Sequence, residues 1–252
     1  MTAPYREGNG GPGPVVGTVA GMTDDTPVDK WGHYELLLLF PPFTRDAGPE
    51  APPHDPEWAR RVVESLGTVA EVLEELPSRG LDRLPAPETR AGLDVVAVGC
   101  WGGTVLVVDP ALAGDAVVAA MAEEVDRQRA LHPEARIAGS VRLDAGEEYR
   151  EFLLDLPGGP ALRVGGWGDD EEWTVSGDPA GQLRALGVDP DGHGDADVDL
   201  AEEPRYVDWD AYGLLALGRQ VTDGDRSRLR PSLFRVRRTQ RAAADLNDVW
   251  FG

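Results

Sequence analysis

The alternation of apolar and polar positions along this chain predicts most of its elements. Residues 31–40 (WGHYELLLLF) join aromatic side chains to an unbroken aliphatic run and are closed by Pro41 and Pro42, the pattern of a buried strand that runs into a loop over 44–53. Asp55 followed by Pro56 predicts a helix start, because the carboxylate accepts free amide protons and proline's fixed φ suits the first helical position. From there Trp58, Val62, Leu66, Val69, Leu73 and Leu76 recur every three or four residues, an apolar helical stripe that Gly67 and a Thr68/Glu71 capping box divide into two short helices. The β-branched runs 93–98 and 104–108, separated by glycines, predict a hairpin. Asp109-Pro110 repeats the cap-plus-proline start and predicts a helix with Val117, Val118, Met121 and Val125 on its inner face, ending near His132.

Beyond that point residues 137–143, 149–156, 161–164 and 173–175 read as a meander of strands with glycine-bearing turns. Short helices follow over 179–186 and 209–217, and residues 233–237 form the last predicted strand; a further short strand is predicted over 15–19. Strands that succeed one another through tight turns predict an α+β fold, a largely antiparallel sheet packed with two main helical segments, rather than a doubly wound parallel sheet. The organisation expected is one domain: a flexible arm over 1–13, a core over 14–186, an acidic Gly- and Asp-rich loop over 187–204, and a C-terminal helix, Arg-rich strand and tail over 205–252.

Composition narrows the classes. The 252 residues carry 45 acidic and 24 basic side chains, net −21, which favours basic partners and argues against general attraction to nucleic acid or anionic lipid. The longest aliphatic run falls far short of the ~20 residues that span a bilayer, and no basic-then-apolar leader is present, so a soluble cytoplasmic protein is expected. The single Cys excludes an intrachain disulfide and any four-thiolate metal site. Charge is also segregated: residues 169–210 hold 14 acidic and two basic groups, whereas 226–241 hold seven Arg and no acid. Pairing of those arginines with the acidic segment is the electrostatic expectation; a phosphate contact is the rival.

Candidate chemistry is sparse. No Walker-type loop, Gly-x-Ser-x-Gly, His-Glu-x-x-His or Cys-x-x-Cys is present, and no cofactor is expected. Cys100, beside a glycine-rich turn, is the best single nucleophile, and His54, just before the Asp55-Pro56 cap, is its candidate base; a thiolate needs such a neighbour. Asp189, Asp191, Asp195 and Asp197 fall at the odd positions of a calcium loop, but position 12 is Leu200 where a bidentate Glu belongs. Trp101 and Trp167 stand beside glycines at turns and are the candidate aromatic anchors for a partner.

Phe40-Pro-Pro-Phe43, Pro52-Pro-His-Asp-Pro56 and the stretch from Val98 to Pro110 (VGCWGGTVLVVDP) resemble uncharacterised actinomycete proteins grouped as a domain of unknown function. That resemblance implies a lineage and no activity. Three readings remain open: a non-enzymatic inhibitor-like or immunity-like module that binds a basic protein, favoured over catalysis; an enzyme with a dispersed His/Cys/carboxylate site; and a calcium-binding module through 189–199. Oligomeric state is not legible in the sequence.

Overall fold

The structure, a computed structural model, describes residues 23–44, 51–84, 86–115, 117–168, 173–190 and 198–252. Nine strands form one antiparallel sheet in the order β2-β9-β3-β4-β1-β5-β6-β7-β8. They are β1 (Trp31–Leu39), β2 (Val69–Leu76), β3 (Val95–Trp101), β4 (Thr104–Val108), β5 (Arg136–Asp144), β6 (Glu148–Asp155), β7 (Leu162–Trp167), β8 (Thr174–Ser176) and β9 (Ser232–Arg238). The helices are α1 (Pro56–Ser65), α2 (Ala120–Leu131), α3 (Pro179–Ala185), α4 (Trp209–Leu217) and α5 (Gln240–Phe251). The α+β class expected from the sequence is the class observed.

Side chains alternate across the sheet and meet a different helical layer on each face. Tyr34, Leu36 and Leu38 of β1 pack with Val96, Val98 and Cys100 of β3 against Val62 and Val63 of α1, Met121 and Val125 of α2, and Leu246 and Trp250 of α5. On the other face Phe152, Leu154, Leu162 and Val164 meet Leu183 of α3 and Tyr212, Ala216 and Leu217 of α4. Beside them Trp101 and Leu106 pack with Leu81, Val221 and Leu229, which lie in or beside short 3-10 turns. The central strands therefore read as continuous apolar runs, because both of their faces are covered.

Three predicted elements differ from those observed. Residues 69–76 are not a second helix but the edge strand β2, paired antiparallel with β9. Its register slips between Val69 and Glu71 and again between Val72 and Glu74. Each slip is a bulge that adds one residue, so the core-facing residues Val69 and Val72 stand three apart and imitate a helical period. Asp109 accepts the Ala111 amide but caps only the 3-10 turn Pro110–Leu112; α2 begins ten residues later, leaving Val117 89% exposed instead of on an inner face. Residues 240–251, expected as tail, form α5, with Thr239 capping the Ala242 amide and Ala242, Leu246, Val249 and Trp250 buried. The arm over 1–13, the strand predicted over 15–19 and part of the acidic loop lie outside the described residues.

Buried polar groups join the layers. Arg238 on β9 and Asp109 are 2% and 0% exposed and meet at 2.8 Å; Thr68 donates to Asp109 at 2.6 Å, and Arg238 also donates to the Leu93 carbonyl. Lys30 donates to the carbonyls of Val249 at 2.7 Å and Gly252 at 3.2 Å, tying the start of β1 to the last turn of α5.

Candidate functional site

Among the described residues, the ion pairs of the arginine-rich segment fall outside the acidic stretch with which its pairing was expected. Arg235 and Arg237 on β9 pair at 2.8 and 2.7 Å with Glu74 and Glu71 on β2, their cross-strand neighbours. Arg238 pairs with Asp109, Arg241 with Glu123, and Arg226 with Glu35 on β1. Five of the seven arginines thus neutralise carboxylates elsewhere in the fold.

Cys100 and His54 are neighbours, but through the main chain. Alternation along β3 turns the Cys100 side chain into the α1 face of the core, where it is fully buried, and burial pushes its thiol up to about 12. His54 Nδ1 lies 3.1 Å from the Cys100 backbone nitrogen and 3.3 Å from the Cys100 carbonyl oxygen, within reach of a donor and an acceptor of the same residue. Its Nε2 lies 3.1 Å from Ser232 Oγ, and Ser232 donates to Glu75 at 3.2 Å. Burial lowers the His54 pKa, and its contacts with Cys100, Asp55 and Glu75 oppose that shift.

The two tryptophans part company. Trp101 folds onto the opposite face from Cys100 and is 3% exposed, filled in beside Leu81 and Leu106, so it presents no anchor to a partner. Trp167 is half-buried, with its ring 5.3 Å from that of Tyr149. Asp189 is exposed, while Asp191, Asp195 and Asp197 lie outside the described residues. Among the described residues no cluster of three or more His, Cys, Asp or Glu side chains is placed to hold a metal ion.

What the sequence did not single out is a groove on the α4 face. Gly218, at φ 74, ends α4 and turns the chain back, and Gln220 and Asp223 then cap each other around the 3-10 turn Val221–Asp223. This return leaves a cavity of about 260 Å³ between α4, that turn and the sheet. Its floor carries the cross-strand apolar row Leu106, Leu37 and Ala138 and, two residues along β1, Glu35 with its neighbour Ser140. Two positions along a strand span about 7 Å, so the apolar row adjoins the polar pair at that spacing. Arg226 pairs with Glu35 at the polar end, and His33 Nε2 lies 3.7 Å from Glu35. Burial raises the Asp223 carboxyl; the Gln220 amide, Arg219 and Arg226 oppose this, and Glu35 adds to it. Leu214, 44% exposed, forms part of the wall. A second hollow of about 200 Å³ shares Ser140, Phe152 and Asp210 with the first, and the Arg142–Asp210 ion pair stands on the rim between them. Groups in the groove are able to hold a charged or mixed-polarity side chain.

Fold and groove define an antiparallel nine-stranded α+β protein with a carboxylate-bearing cleft on one helical face. Residues 18–252 match the model of a family described as a family of unknown function, DUF6333, and the chain belongs to that family. No curated protein and no solved structure matches it.

Proposed function

We propose that this chain acts by binding a basic protein, as an inhibitor or immunity-like module, and does so in the cytoplasm. The observation that supports this most is the internal use of its arginines. Arg226, Arg235, Arg237, Arg238 and Arg241 are engaged by carboxylates of the same chain, and the chain as a whole keeps a net charge of −21. Such a field accelerates encounter with a cationic protein and repels nucleic acid. The complete burial of the Cys100 thiol weighs against covalent catalysis by it.

The test is capture from the native host lysate by the immobilised protein, followed by purification of whatever is retained. A basic protein whose affinity persists in the isolated pair and whose association rate falls steeply between 50 and 500 mM salt supports the reading; those salt values bracket the screening range, with Debye lengths of roughly 14 and 4 Å. Retention of nothing at either salt, or only of material lost from the isolated pair, overturns it.

A further inference from the structure

We propose that the groove between α4 and β1 receives one arginine or lysine side chain of the basic partner, its stem along Leu37, Leu106 and Leu214 and its charged head at Glu35. This rests on the partner-binding reading and supplies the contact surface that reading lacks.

The groove has the polarity of such a side chain in the right order. Arg and Lys present an aliphatic stem and a cationic tip, and bury the stem along apolar surface while the tip stays polar. Along β1 the floor changes from the Leu106–Leu37–Ala138 row to Glu35 and Ser140 over two residues, about 7 Å. Leu214 is a large apolar side chain left 44% exposed above that floor, which a stem would cover.

The head position is already occupied by a guanidinium of the chain itself. Arg226 extends from the 3-10 turn Arg226–Arg228 and its side chain is 36% exposed where it meets Glu35. Arg226 meets both Glu35 oxygens from the solvent side, so an incoming cation competes with it for the same carboxylate. The displaced Arg226 swings into solvent, and the new cation gains a pocket whose lining also carries Asp223, which accepts the Gln220 N–H at 2.7 Å. Arg226 therefore stands in for the ligand in the unbound molecule.

Competition makes the proposal testable with opposite signs. The probe is an acetylated, amidated Gly-Gly-Arg-Gly-Gly peptide titrated by NMR at low salt, with the Lys and Glu versions alongside. Glu35→Gln is expected to weaken binding of the Arg and Lys peptides about fivefold to tenfold, and Arg226→Gln to tighten it by a similar factor, while the Glu peptide binds none of the variants. Glu134→Gln, an exposed carboxylate remote from the groove, controls for net charge and is expected to change affinity less than about twofold. Equal loss in Glu35→Gln and Glu134→Gln, weaker binding by Arg226→Gln, or no binding by either parent or Arg226→Gln overturns the proposal; circular dichroism of each variant excludes unfolding as the cause. A basic partner held by Glu35→Gln at parental affinity would remove the groove and leave partner binding intact. Peptide data as expected, with no partner captured, would do the reverse.

Discussion

His54 Nδ1 accepts the backbone N–H of Cys100 at 3.1 Å, so the residues that sequence marks as base and nucleophile are joined by main chain and not by the thiol. The contact holds the segment before α1 against β3, where His54 and Trp101 form an isolated β-bridge. This ring is held below its ordinary value of 6.5 chiefly by burial.

The sign of the pH effect follows. With the folded pKa depressed, the unfolded chain takes up a proton below pH 6.5 that the folded chain refuses, so this group's contribution is complete above 6.5 and is lost as pH falls below it. His54→Asn keeps an acceptor for the Cys100 amide and lacks the titrating ring. Urea unfolding at steps of pH between 5 and 8 is expected to show a shallower slope in the variant on the acid side, together with a loss of about 1–2 kcal/mol at neutral pH from the Ser232 bond.

Glu151 has the opposite sign. Burial lifts its carboxyl to about 7, Arg163 opposes the shift, and Oε2 has no hydrogen-bond partner. The folded chain holds a proton that the unfolded chain has released, so stability is greatest below the unfolded value of 4.5 and declines as pH rises through about 7. Glu151→Gln is expected to remove that decline and to raise stability at pH 8 by about 1–3 kcal/mol, read from urea midpoints.

Arg238→Met leaves Asp109 charged at 0% exposure with only the Thr68 hydroxyl and the Ala111 amide as partners. A loss of about 3–5 kcal/mol is expected in equilibrium unfolding, and Arg238→Met with Asp109→Asn should recover part of it, because the uncompensated charge is then absent. Equal stability of single and double variants would locate the cost in packing. By contrast Glu71→Ala, which opens an exposed pair with Arg237, should cost under about 1 kcal/mol.

Gly99→Ala tests the seat of Trp101. A Cβ at Gly99 would lie 2.0 Å from the Trp101 ring, so the indole must leave its place among Leu81 and Leu106. The expected result is a loss of about 2–4 kcal/mol and a red-shifted component in tryptophan emission, absent from a Gly99→Ala/Trp101→Leu variant.

The sheet was legible where both faces are covered or where glycine turns punctuate strands: β1, β3 to β6 and the cap Asp55 all follow local rules. β2 was misread because two bulges convert its period of two into three, which no count of apolar spacing distinguishes from a helix turn. α5 did leave a signal, in the Thr239 cap and the spacing of Ala242, Leu246 and Val249, that the polar residues between them obscured. The groove left none. Leu37 and Glu35, Arg226, and Leu214 come from three separate segments, and Glu35 and Arg226 lie 191 positions apart. Only the strand order, with β1 between β4 and β5, sets the apolar row beside the polar pair.

Lys30 is the chain's one lysine, and its ammonium is engaged with the carbonyls of Val249 and Gly252. Reagents that acylate side-chain amines compete with these two bonds at a half-buried ammonium, so loosening of the final helix is expected to speed their reaction. Coupling the protein to a sensor through its plentiful carboxyl groups avoids that disturbance.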